Sequence, residues 1–155
     1  MGDHCTDRGE TMSDYPAYLR RLQSGEKGLN PFLDFFGIIM EELKEGYARF
    51  RMPVRPEYIQ VAGIMQGGVI VAMADETISH AIMTVLKPGT ELTTIELKSN
   101  FLAPVRDGEI TAEATVFKRG RTLIIGDCLV MNGKDREVVR CSATFLAFPD
   151  KKNSK

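Results

Sequence analysis

Between Gln66 and Glu76 the chain reads Gln-Gly-Gly-Val-Ile-Val-Ala-Met-Ala-Asp-Glu. This is the stretch that most restricts the fold. It predicts a glycine-opened helix from Gly67 to about Leu86, stopped by Lys87-Pro88-Gly89. The helix is apolar almost all round, and a helix without a polar face belongs inside a protein. Two carboxylates, Asp75 and Glu76, fall in its middle. Buried carboxylates are costly unless they are partnered or put to use. The stretch therefore places acid chemistry, or a structural ion pair, within the fold.

The flanking segments say what surrounds that helix. Tyr18, Leu19 and Leu22 have helical spacing, and Asn30-Pro31 is an N-cap and first-turn pair opening a short apolar turn. Ile38 to Leu43 can form a strand. Ala48, Phe50, Met52 and Val54 then alternate with polar residues across a turn at Lys44-Glu45-Gly46, the pattern of a hairpin. After the helix the period is two throughout. Ile95, Leu97 and Phe101 are expected on one face, with Thr94, Glu96, Lys98 and Asn100 on the other. Asp107-Gly108 and Asn132-Gly133 are hairpin signals. Leu123 to Met131 reads as a central strand, and Val139, Cys141, Ala143, Phe145 and Ala147 share one face of the last. Two strands, one long buried helix and four more strands imply an α+β fold, an antiparallel sheet with helices on one face. One helix cannot cover both faces of six strands, so the sheet is expected to curl around it and leave an edge or face for a partner subunit.

The chain has 155 residues, enough for one domain with a real core. Residues 1–13 are expected to be a frayed tail, residues 14–149 the domain, and residues 150–155 a second tail. A net charge of -1 gives no global attraction to nucleic acid or anionic membrane. The longest apolar run, Val69 to Ala74, is too short to span a bilayer. Cys5, Cys128 and Cys141 are odd in number and lack metal-ligand spacing. These features imply a cytoplasmic, reduced protein without membrane or nucleic-acid partners.

Residues able to carry chemistry cluster on the helix. Ala72, Val71, Ile78, Ser79 and Gly68 share the face of Asp75. Such a lane of mostly small residues suits a narrow substrate channel and suits close helix–sheet packing equally. Gly67 and Gly68 present amides without intrahelical acceptors at the positive end of the dipole, where a developing oxyanion would be stabilised. They also permit a sharp loop-to-helix turn. Glu76 lies four residues before His80, a pair expected to neutralise itself rather than act as a dyad. With only His4 and His80 in the chain and no cysteine beside them, no metal is expected. The turn Lys118-Arg119-Gly120-Arg121 is either a phosphate-holding turn or a solvated basic hairpin.

Over roughly residues 35–148 these segments resemble the hotdog-fold acyl-CoA thioesterases, in particular the PaaI-like branch. Gln66-Gly67-Gly68, six residues and then Asp75 resembles its His-Gly-Gly motif with a following acid. Thr94-Ile95-Glu96-Leu97, Asn100-Phe101-Leu102-Ala103-Pro104, Gly120-Arg121-Thr122-Leu123 and Cys141-Ser142-Ala143-Thr144-Phe145 are similar to its later segments. The resemblance implies a curved antiparallel sheet around one central helix, self-association as a homodimer or homotetramer, and hydrolysis of an acyl-CoA without a further cofactor. It implies that Asp75 attacks the thioester or activates water and that the Gly68 amide polarises its carbonyl. Thr94, from the facing subunit, would hold the water. Gln66 and Gln60, with Gly67, would support the carbonyl, while Lys118, Arg119 and Arg121 meet the coenzyme A phosphates. Gln66 stands where the family has His, and its amide can donate a hydrogen bond but cannot titrate. A non-catalytic acyl-CoA binder, or a hydratase or dehydratase on the same fold, are the alternative readings.

Overall fold

A computed structural model describes residues 14–149. The tails expected over residues 1–13 and 150–155 lie outside the described residues. Helices α1 (Tyr15–Gln23) and α2 (Pro31–Phe36) lead into strands β1 (Ile39–Lys44) and β2 (Tyr47–Pro53). A loop with one short 3₁₀ turn precedes the long helix α3 (Gly67–Met83). Strands β3 (Thr90–Phe101), β4 (Glu109–Arg119), β5 (Leu123–Asn132) and β6 (Glu137–Pro149) complete the chain. All six strands form one antiparallel sheet in the order β1-β2-β4-β5-β6-β3, curved around α3. This is the hotdog arrangement.

Alternation decides which face meets the helix. Ala48, Phe50 and Met52 from β2, Ile110, Ala112 and Ala114 from β4, and Val139, Cys141, Ala143, Phe145 and Ala147 from β6 are all buried. Met73, Ala74, Ile78, Ala81 and Ile82 of α3 fill the space opposite. The layers come into close contact at Gly126 of β5. A Cβ there would lie 2.9 Å from Ile78 Cγ2, so only glycine lets the helix approach this strand so nearly.

Three expectations about these elements change. Helix α3 ends at Met83 rather than near Leu86. Thr84 stops it: its hydroxyl donates to the Ala81 carbonyl at 2.6 Å and accepts the Gly46 amide at 2.7 Å, tying the helix end to the β1–β2 turn. Asp107-Gly108 does not close a hairpin, because β3 pairs with β6 while β4 lies between β2 and β5. Residues 102–108 are instead a crossover between separated strands.

The third change concerns β3. Thr94 opposes Phe145 and Glu96 opposes Thr144, which leaves Ile95 as an unpaired bulge. Residues directly opposite in a ladder share a face, so Thr94, Leu97, Ser99 and Phe101 lie with Phe145, Ala143, Cys141 and Val139 on the helix side. Ile95 is thrown out and is half exposed. The expected grouping of Ile95 with Leu97, and of Thr94 with Glu96, is thereby reversed.

Candidate active site

That bulge makes the site. By turning Thr94 inward it brings the hydroxyl to Asp75, with Oγ1 donating to Oδ1 at 3.1 Å and lying 3.4 Å from Oδ2. Without the extra residue, Thr94 would face away from α3. The threonine and the acid belong to the same chain, so a Thr94 from a facing subunit is not needed to reach Asp75. Half-burial pushes the Asp75 carboxyl above its ordinary range, and the Thr94 hydrogen bond partly offsets this by favouring the anion. Ser99 and Cys141, also on the helix side of their strands, lie nearby. Their Oγ and Sγ atoms are 3.2 Å apart. The negative charge of Asp75 adds to the burial that raises the Cys141 thiol. Sequence reasoning missed both, because only the ladder register shows that they face the acid.

At the start of α3 the two glycines have different surroundings. A Cβ on Gly67 would lie 2.8 Å from the Phe101 ring, so the absent side chain is filled by that aromatic. A Cβ on Gly68 would meet nothing within 4 Å, so this position is open. The Gly67 amide has no acceptor among the described residues. The Gly68 amide donates to Gln66 Oε1 over a long 3.4 Å. Gln66 is thus the N-cap, and a ligand oxygen at Gly68 would take the place of its side-chain oxygen. The Gln60 side-chain oxygen and backbone are held within its own loop, while its side-chain Nε2 has no partner among the described residues. Its Oε1 accepts the Ala62 amide at 2.7 Å, and its backbone pairs with Ile64 at 2.9 Å and with Gly63 at 2.8 Å.

Glu76 and His80 do meet, as their spacing implied, with His80 Nδ1 3.4 Å from Glu76 Oε2, but the imidazole carries no charge to neutralise the acid. His80 is fully buried, and burial holds its pKa down to about 4, so it is neutral. Its Nδ1 lies 2.7 Å from the Glu76 backbone carbonyl, and its Nε2 lies 2.8 Å from Tyr18 Oη. Neutral His80 satisfies both contacts when Nδ1–H donates to the carbonyl and Nε2 accepts from the tyrosine hydroxyl. Asn30 Nδ2 donates to Tyr18 Oη and to Glu76 Oε2, each at 3.3 Å. The Glu76 carboxyl is raised to about 7 by burial, with the Asp75 charge adding to it. The group is a hydrogen-bonded clasp joining α1 and the α2 N-cap to the central helix. Spacing revealed the Glu76–His80 half of it, while Tyr18 and Asn30 are too distant in sequence to be inferred.

The basic turn stands apart. The Arg119 guanidinium donates to the Val85 carbonyl just beyond the end of α3. Helix α3 has 17 residues, so Lys118, Arg119 and Arg121 lie about 25 Å along it from Gly67. Within one chain the fold brings together Asp75, Thr94, Gln66, Gly67 and Gly68, with Gln60 in the adjoining loop, and leaves the basic turn remote. Among the described residues no cluster of histidine, cysteine or acidic side chains could hold a metal ion, and no helix is long and apolar enough to cross a membrane.

Residues 62–139, which contain this constellation apart from Gln60, match the profile of the thioesterase superfamily. The chain belongs to that superfamily. A candidate esterase of Saccharolobus solfataricus is 31% identical over 117 residues, covering 74% of this chain and 76% of that protein. A candidate esterase of Haemophilus influenzae is 33% identical over 94 residues, covering 61% of this chain and 68% of that protein. Among solved structures, a thioesterase from Haemophilus influenzae superposes with a TM-score of 0.75 at 25% identity, covering 81% of this chain and 88% of that one. The Escherichia coli PaaI protein from the phenylacetic acid degradation operon superposes with a TM-score of 0.76 at 18% identity, covering 90% of this chain and 98% of that one. This last likeness is one of fold. Together the relatives place this thioesterase-superfamily chain among the hydrolases.

Proposed function

We propose that the protein hydrolyses an acyl-CoA thioester to a free acid and coenzyme A, with Asp75 as the acid–base or nucleophilic group. The observation that carries this reading is the inward-turned Thr94, which fixes a half-buried Asp75 on the same face of α3 as the open Gly68 amide. A thioester carbonyl oxygen at Gly68 would replace Gln66 Oε1, and the amides of Gly67 and Gly68 would stabilise the charge developing on it. Asp75 would then take a proton from water as general base, or attack the carbonyl carbon itself. Thr94 holds the carboxylate and is placed to share a water with it. Gln66 and Gln60 contribute amide hydrogen bonds around the carbonyl.

Along the helix, Gly68 and Asp75 are separated by roughly 10 Å. That spacing favours a water between acid and carbonyl, or an acid supplied by a second copy across a homodimer interface. Lys118, Arg119 and Arg121 would meet a substrate at Gly68 only from such a second copy. No additional cofactor enters this scheme, since coenzyme A arrives with the substrate. The test is release of free thiol across a panel of aryl and aliphatic acyl-CoA thioesters. Turnover of at least one supports the reading. Saturable binding without turnover would favour an acyl-CoA sensor, for which Gln66 in the place of histidine is the one supporting observation.

A further inference from the structure

A cleft of about 390 Å³ lies beside the start of α3, between the β3–β4 crossover and the β5–β6 hairpin. Its volume is within the range of small-molecule sites. Pro104, Arg106 and Gly108 form one wall, and Asn132, Gly133 and Lys134 the other. We propose that this cleft binds phosphate groups through Arg106 and Lys134, and that it receives the nucleotide-phosphate end of a thioester whose carbonyl lies at Gly67–Gly68. The assignment rests on the acyl-CoA reading for its substrate, and it places the phosphates elsewhere than the Lys118–Arg121 turn.

The position follows from the run of the chain. Helix α3 and strand β3 pass each other in opposite directions: Thr94 meets Asp75, and seven residues later Phe101 lies on Gly67. Beyond Phe101 the crossover continues to Val105, whose carbonyl accepts the Met65 amide at 2.7 Å. Met65 directly precedes Gln66, so the cleft and the helix start share this contact as a common wall. The order along the surface is therefore Asp75 with Thr94, then Gly67 with Phe101, then Arg106. A linear molecule with its carbonyl at the helix start and its tail directed away from Asp75 runs toward Arg106.

The charges favour the same use. Arg49, Arg51 and Arg140 on the sheet are each held by a carboxylate. Among the described residues, neither Arg106 nor Lys134 is in an ion pair or a side-chain hydrogen bond, and both are exposed. The Asp107 carboxylate also lines the cleft, leaving it one positive charge in excess. Asn132 is spent on its own turn, its Oδ1 accepting the Lys134 and Arg136 amides at 3.0 and 3.1 Å, which fixes the hairpin that carries Lys134. An arginine fork and a lysine point charge on two separately anchored walls suit a phosphorylated ligand.

The experiment uses the full chain and the variant R106Q/K134Q, whose changes are on exposed side chains without partners among the described residues. The probe is adenosine 3′,5′-bisphosphate, titrated by calorimetry. Binding to the wild type and a loss of about tenfold or more in the variant are expected, the scale of losing one charge-assisted hydrogen bond. For acyl-CoA the variant should raise KM by a similar factor and leave kcat unchanged. The same acyl group on N-acetylcysteamine, which has no phosphate, should show no change in kcat/KM. Failure of the probe to bind the wild type, equal binding to the variant, or an affinity loss in K118Q/R121Q instead would overturn the assignment. The two readings fail separately. Probe binding lost in R106Q/K134Q with no turnover of any thioester would defeat the hydrolase and keep the cleft, whereas turnover with a KM indifferent to R106Q/K134Q would do the reverse.

Discussion

Glu76→Gln tests the physical account of the clasp on α3. In the folded protein Glu76 holds its proton up to a pKa of about 7, against an ordinary value of about 4.5, and its side chain is three-quarters buried. A group whose folded pKa is raised contributes stability that is present below its unfolded pKa and is lost as pH rises through the folded one. That rise corresponds to about 3 kcal/mol lost between pH 4.5 and 7. His80 acts oppositely. Its folded pKa of about 4 lies below the ordinary 6.5, so the unfolded chain binds the extra proton and stability rises by about 3 kcal/mol from pH 4 to 6.5. The two slopes nearly cancel in the wild type between pH 4.5 and 6.5. The amide introduced by Glu76→Gln cannot ionise, and its carbonyl oxygen can still accept from Asn30. The difference in unfolding free energy, variant minus wild type, should therefore increase by about 3 kcal/mol from pH 4.5 to 8. Urea titrations at fixed ionic strength and one protein concentration measure it, and groups common to both proteins cancel in the subtraction. A difference independent of pH, or one that falls as pH rises, would refute the burial argument for Glu76.

Other changes separate structure from chemistry. Tyr18→Phe removes the hydroxyl that His80 Nε2 accepts and should cost about 1–3 kcal/mol in denaturant titrations while kcat changes little. Gly67→Ala puts a methyl 2.8 Å from the Phe101 ring and should cost about 1–3 kcal/mol by overpacking, seen as a lower Tm. Gly68→Ala has open space and should keep its Tm yet lose turnover, because the methyl occupies ground the carbonyl needs. Thr94→Val removes the hydrogen bond that holds the Asp75 pKa down. The acid limb of kcat/KM, which reports the deprotonated base, should move to higher pH.

The helix and its burial were legible because its apolar residues leave no polar face, and β2 and β6 because β2 throughout, and β6 from Val139 onward, bury alternate residues. The faces of β3 were not legible. One bulged residue, Ile95, reverses the parity of everything before it, and nothing in Thr-Thr-Ile-Glu announces a bulge. Asp107-Gly108 carried correct turn chemistry, with Gly108 at φ 78°, yet turn chemistry is local and does not say which strand the next one will join. Asp75 could be singled out as a buried acid, but its partner Thr94 follows only from the ladder register. Glu76 and His80 could be paired by helical spacing, whereas their actual states are set by burial, and their partners Tyr18 and Asn30 reach them only through tertiary packing. The basic turn was visible as charge alone. Its distance from Gly67 is set by the length of α3 and by the Arg119 contact to Val85.

The most direct measurement is kcat/KM for the best acyl-CoA substrate in wild type and Asp75→Asn, with circular dichroism and Tm recorded on both. Asparagine keeps the size of the side chain and can still accept from Thr94. The account predicts an unchanged fold and a loss of turnover of roughly two or more orders of magnitude, the scale of removing a general base. A folded Asp75→Asn protein that hydrolyses the thioester at the wild-type rate would contradict it.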